Sequence, residues 1–192
     1  MEENQVTSNR RLIVIGGSSG SLDALLVMLP KLRADFSIPI LLILHRGTTA
    51  DNGMVDLLAI NTSLHVKEAD EKDKLHPGWM YLAPPDYHVL LETDGSLSLD
   101  ASEKIHYSRP SIDVSFTSAA QAYQNNCIAV LLSGANADGA AAMNLIALAG
   151  GTTIVQDPKT ATVSYMPQQA IAQSKIQHVL SPAAIAALLN EI

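Results

Sequence analysis

Three uninterrupted apolar runs in this chain each deliver one polar side chain at their end. Leu12-Ile13-Val14-Ile15 runs into Gly16-Gly17-Ser18-Ser19-Gly20. Ile40-Leu41-Leu42-Ile43-Leu44 runs into His45. Ile128-Ala129-Val130-Leu131-Leu132 leads, across Ser133-Gly134-Ala135-Asn136-Ala137, to Asp138. A strand with one wet face alternates apolar and polar residues. These runs do not alternate, so both faces must be buried, as in a parallel sheet covered on both sides. Sites in open sheets of this kind form beyond the carboxyl ends of the strands. Ser18, His45 and Asp138 are thereby expected at one edge of one sheet. A serine, a histidine and an aspartate are the groups that acyl transfer requires.

The 192 residues suffice for one domain with a sizeable core, and 47% of them are apolar against 16% charged. A net charge of −7 argues against nucleic acid or an anionic membrane as partner. The apolar runs are far too short to span a bilayer. Met1–Arg11 is polar, without the apolar core of a signal peptide. Cys127 is the single cysteine, so no internal disulfide forms. These features predict a soluble, cytoplasmic protein.

Residues 1–10 read as a disordered tail, and 11–192 as one domain that alternates strand-like and helix-like segments. Leu22, Leu25, Leu26 and Leu29 share a helical face that ends at Pro30. Helices are further predicted near Val55–Ile60 and over 112–124, 139–149, Gln168–Ser174 and Ala183–Leu189. Short strands are predicted at Leu64–Lys67, Trp79–Ala83, Thr152–Gln156 and His178–Leu180. Asp94-Gly95, between His88–Glu92 and Ser96–Leu99, signals a hairpin. The expected fold is α/β: a three-layer, doubly wound, mostly parallel sheet with an antiparallel hairpin at one edge.

Taken singly, the site residues leave plainer roles open. Gly16-Gly17-Ser18-Ser19-Gly20 fits G-x-S-x-G on a strand-to-helix turn, where a nucleophile faces free helix N–H groups. It equally fits a serine that only caps the helix. A phosphate loop is disfavoured, because the G-x-G-x-x-G spacing and the Walker lysine are missing. His45 is either a hydrogen-bonded core histidine or a general base. Asp138 is either the N-cap of the helix that follows or the partner of His45, and Asp113 and Asp157 compete for that second role. His88 is taken as structural. The remaining histidines show no metal-ligand spacing, so neither a metal nor a cofactor is expected.

The chain resembles the catalytic domain of the chemotaxis protein-glutamate methylesterases, the CheB family, from about Leu12 to Pro182. Gly16-Gly17-Ser18-Ser19-Gly20-Ser21 is similar to the family's G-A-S-T-G-G, and Leu44-His45 to its strand ending in Q-H. Pro77-Gly78-Trp79-Met80-Tyr81-Leu82-Ala83-Pro84 matches P-G-x-x-Y-x-A-P, with His88 following. Arg109-Pro110-Ser111-Ile112-Asp113 matches R-P-S-x-D, and Leu132–Gly139 recasts L-T-G-M-G-x-D-G. Gly150–Asp157 and Met166-Pro167 complete the series.

The resemblance implies a serine hydrolase that removes methyl esters from glutamates of chemoreceptors and deamidates certain glutamines. It implies Ser18 as nucleophile, His45 as base and Asp138, rather than Asp157, as its orienting partner. The backbone N–H groups of Ser19 and Ala135 would hold the oxyanion. A non-catalytic interaction module and an esterase for small metabolites are the alternatives. Two departures fall beside the chemistry. Ala135-Asn136 replaces Met-Gly, with Asn136 expected to keep the loop's shape by tolerating positive φ. Arg46-Gly47 replaces Met-Pro and sets a fixed charge beside His45, suited to recognising an acidic substrate group. The family's usual N-terminal receiver domain has no room before the first strand, so the expectation is a constitutively open site or control by a separate receiver or signalling protein.

Overall fold

The computed structural model describes residues 11–47, 53–105 and 107–192. The expected tail 1–10, and His106, lie outside the described residues. Seven strands form one sheet: β1 (Leu12–Gly17), β2 (Ile40–Leu44), β3 (His65–Glu68), β4 (Trp79–Leu82), β7 (Cys127–Leu131), β8 (Thr152–Gln156) and β9 (His178–Leu180). Their order is β3-β4-β2-β1-β7-β8-β9, and every pairing is parallel.

Alternation along β1 shows why apolar runs were needed. Leu12 and Val14 join a core with α3 (Ile112–Tyr123), α4 (Ala140–Leu148) and α5 (Tyr165–Gln173). Ile13 and Ile15 join a second core, on the opposite face, with α1 (Ser21–Met28), α2 (Gly53–Ala59) and α6 (Pro182–Glu191). All four side chains are fully buried, and burying such a residue is worth about 1.5–3 kcal/mol. Ile15→Ala should accordingly cost about 2–5 kcal/mol. None of the described helices is long and apolar enough to cross a membrane.

The hairpin β5 (His88–Leu91) and β6 (Leu97–Asp100) forms at the predicted turn, but as a separate two-stranded sheet rather than on an edge of the large one. Side chains of α3 take up its backbone groups. Ser115 Oγ donates to Val89 O at 2.7 Å, and Leu91 N–H donates to Ser118 Oγ at 3.0 Å. Val89, Leu91 and Leu97 pack with Phe116 and Ala119 of that helix.

The strand order reverses at β1. The chain goes from β1 to β2 on one side and later places β7 on the other. Sites in open sheets form at such a switch point, and here the start of α3 packs against the end of β1. Gly16 allows the tight fit there: a Cβ on it would stand 2.5 Å from Ile112 Cγ2. Gly20, at φ 77, turns the chain into α1 in a conformation that residues with a side chain resist.

Candidate active site

Ser18 directly follows β1. Its N–H donates to Ser133 O at 2.9 Å, and its carbonyl accepts from Ser21 N–H at 3.0 Å and Ser21 Oγ at 2.6 Å. The residue is held by backbone and left half-buried. His45 directly follows β2, and its N–H continues the parallel ladder by donating to Gly17 O at 3.2 Å. Gly17 pairs with Leu44, so Ser18 and His45 are the next residues along neighbouring strands. Paired strands lie about 4.8 Å apart. No hydrogen bond joins Ser18 Oγ to His45 among the described residues.

His45 Nε2 lies 2.7 Å from Asp138 Oδ2, with the imidazole 10% exposed and the carboxylate fully buried. Asp138 does not cap the helix that follows it. Gly139 occupies that position and has no side chain with which to cap α4. The carboxylate instead faces the start of α3. Ile112 N–H donates to Oδ2 at 2.7 Å, while Asp113 N–H and Ser111 Oγ donate to Oδ1, each at 2.9 Å. Burial pushes the Asp138 pKa up. The hydrogen bonds from His45 and from the Asp113 and Ile112 N–H groups outweigh it and hold the carboxyl below its ordinary value. An ionised Asp138 requires the proton on His45 Nε2, which leaves Nδ1 with a free lone pair.

The other two carboxylates are bonded elsewhere: Asp157 Oδ1 accepts Lys159 N–H within its own turn and Asp113 Oδ1 accepts Ala142 N–H, each at 2.9 Å. His88 is buried and structural: Nδ1 accepts Ser111 N–H and Nε2 donates to Glu103 O, both at 3.0 Å. It thereby steadies the serine that bonds Asp138.

Both departures beside the chemistry differ from expectation. Asn136 is not among the positive-φ residues. Its side chain shapes the loop instead, Oδ1 accepting Asp138 N–H at 3.1 Å. Arg46 is already engaged within the chain. Its guanidinium pairs with Glu68 and donates to Ala83 O at 2.9 Å, so its charge is already matched.

The sequence reading overlooked Ser133 and Gln156. Ser133 Oγ donates to Ser19 O at 2.7 Å and accepts Val163 N–H at 2.9 Å. Ser133 N–H donates to Gln156 Oε1 at 2.9 Å, and Gln156 Nε2 donates to Thr160 O at 3.2 Å. This buried pair ties the Ser18 turn, the loop after β7 and the loop after β8 together. A polar residue at the end of each apolar run was the available signal. The N–H groups of Ser19 and Ala135 have no acceptor among the described residues. No cluster of three or more metal-binding side chains occurs among the described residues either.

The CheB methylesterase family profile matches residues 13–189. The chain belongs to the CheB methylesterase family. A relative from Leptospira interrogans is 41% identical over 180 residues, covering 94% of this chain and 93% of that protein. A protein of Carboxydothermus hydrogenoformans named protein-glutamate methylesterase/protein-glutamine glutaminase 1 is 38% identical over 184 residues, which are 93% of this chain and 54% of that protein. The family member therefore matches one relative nearly end to end and about half the length of the other. The crystal structure of the Thermotoga maritima CheB methylesterase catalytic domain superposes with a TM-score of 0.91 at 32% identity, covering 95% of this chain and 98% of that one.

Proposed function

We propose that this chain is a protein-glutamate methylesterase acting in the cytoplasm on methylated chemoreceptors, with glutamine deamidation as a second reaction. Ser18 is the nucleophile, His45 the general base and Asp138 the group that orients and charges it. The observation that carries the reading is the 2.7 Å contact between His45 and a buried carboxylate, made one strand away from Ser18.

Rotation of the Ser18 side chain brings Oγ to His45 Nδ1. Oγ attacks the ester carbonyl carbon as Nδ1 takes its proton, and Asp138 stabilises the imidazolium. The carbonyl oxygen becomes an oxyanion held by the N–H groups of Ser19 and Ala135, aided by the positive end of α1. The imidazolium returns the proton to the departing methoxy oxygen, so methanol leaves and a glutamyl ester of Ser18 remains. Water then attacks that ester, gives one proton to Nδ1, and the imidazolium reprotonates Oγ. One ester and one water become a carboxylate, a proton and methanol. With glutamine as substrate the leaving group is ammonia.

The test is methanol release from a methylated chemoreceptor fragment by the wild type and by Ser18→Ala. Loss of the nucleophile should reduce release by at least about a thousand-fold. Folded wild type that releases no methanol would overturn the reading in favour of an interaction module.

A further inference from the structure

The bend that carries Ser18 into α1 is held more firmly than a bend requires. Ser18, Ser19, Gly20 and Ser21 form a four-residue turn, closed by the Ser21 N–H on Ser18 O at 3.0 Å. Gly20, at φ 77 and ψ −1, takes the third position of a type II turn. The Ser21 hydroxyl donates to the same Ser18 O at 2.6 Å. The N–H alone closes the turn, so the hydroxyl is a second hold on one oxygen.

That oxygen belongs to the trans peptide between Ser18 and Ser19. In a planar trans peptide the C=O and the N–H point in opposite directions. Two donors draw Ser18 O toward Ser21, so the Ser19 N–H is turned away from Ser21, and it meets no acceptor among the described residues. The next peptide of the turn is held in the same manner, with Ser133 Oγ donating to Ser19 O at 2.7 Å. A hydrogen bond accepted by a carbonyl also polarises its amide, which makes the N–H at the other end a better donor.

Ser21 is only 2% exposed, so water does not compete for its hydroxyl. Room for the side chain comes from Gly17, in the last position of β1. A Cβ on Gly17 would stand 2.5 Å from Ser21 Cβ and 2.8 Å from its Oγ. Gly17 is not among the positive-φ glycines, so what it supplies is space. The two positions therefore hold one side chain between them, and here that side chain is the one with a hydroxyl.

We propose that Ser21 is a positioning residue for the oxyanion: its buried hydroxyl locks the Ser18–Ser19 peptide so that the Ser19 N–H faces the reacting carbonyl oxygen. The proposal rests on the methylesterase reading, from which it takes Ser18 as nucleophile, and adds a residue that acts on the transition state without touching the substrate. Preorganised donors are effective because they need no rearrangement as the charge develops. Ser21 supplies that preorganisation to one of the two donors.

Ser21→Ala deletes the hydroxyl and keeps Cβ. With a methylated chemoreceptor fragment, kcat should fall about ten-fold at unchanged KM, less than the loss on deleting an oxyanion donor outright, because the Ser19 N–H is loosened and not removed. The deciding probe is a trifluoromethyl ketone in which CF3 replaces the methoxy group of a glutamate methyl ester. Ser18 Oγ adds to its carbonyl carbon, the hydroxyl proton passes to His45 Nδ1, and the carbonyl oxygen becomes a lasting oxyanion. Its Ki should rise in Ser21→Ala by the factor that kcat loses, whereas a hydroxyl that only stabilised the fold would lower the urea midpoint and leave Ki alone. Gly17→Ala/Ser21→Gly is the second variant, with a methyl at position 17 in the space that Ser21 Cβ vacates. Its urea midpoint should exceed that of Gly17→Ala, and its Ki should stay raised. A wild-type Ki in either folded variant overturns the proposal, as does a wild type that forms no adduct. An adduct that Ser21→Ala weakens supports it even where wild type releases no methanol, and the failure then lies with the substrate of the parent reading.

Discussion

Asp138 and Asp113 cap each other's helices. Asp138 takes the N–H groups of Ile112 and Asp113 at the start of α3, while Asp113 Oδ1 takes Ala142 N–H, in the first turn of α4, at 2.9 Å. Each aspartate thus sits at the positive end of the other's helix. The carboxylate that meets His45 is also what joins two helices, so the proposed catalytic role and stability share one residue.

Asp138→Asn should separate these roles. The amide oxygen still accepts an N–H from α3, but the negative charge facing His45 is gone. The fold should survive, while kcat for ester hydrolysis falls by about three to four orders of magnitude. Asp138→Ala strands buried donors of α3 and Ser111, each costing about 1–3 kcal/mol, so its urea midpoint should drop sharply. Comparing kcat and urea midpoints of the two variants checks both statements.

Stability should fall in acid for a stated reason. The Asp138 pKa is lower in the folded chain than its ordinary 3.8, so the folded state favours the ionised form. That contribution is complete above the ordinary value and is lost as the pH drops through the folded one. Asp86, held low by Arg109, and Asp100, held low by Ser102, titrate in the same direction. Urea midpoints should be level from about pH 7 to 5 and decline below about pH 4. The decline should be shallower in Asp138→Asn.

Gln156→Leu removes the acceptor of Ser133 N–H in a buried place. A loss of about 1–3 kcal/mol is expected in chemical denaturation. The loops that carry Ser18 and Ala135 loosen together, so kcat should fall while KM for a small ester stays near wild type.

Cys127 opens β7 wholly buried, and burial pushes its thiol pKa far up. It should resist a disulfide-exchange reagent at pH 8 in the native protein and react at once in urea. Rapid native labelling would contradict the packing described for β7.

The apolar runs disclosed the parallel sheet and the edge at which Ser18, His45 and Asp138 meet, because burial on both faces is written in strand composition. The destination of Asp138 was not legible. A carboxylate before a helix reads as that helix's cap, and only tertiary packing turned it toward α3, some 26 residues back in the chain. Arg46 escaped for a similar reason: Glu68, which matches its charge, is 22 residues away on another strand. The hairpin was legible as a hairpin, but its docking on Ser115 and Ser118 depends on which face of α3 is free.

The site residues hang from three adjacent strands, β2, β1 and β7, at the middle of the sheet. The spacing between Ser18 and His45 is set by the pairing of β1 with β2. Tyr87 in the loop after β4, Tyr107 in the loop after β6 and Tyr165 at the start of α5 stand outside those three strands. Such a protein is modular: the placing of Ser18 beside His45 is kept in the chassis, and surface segments outside those strands can be rewritten without moving it.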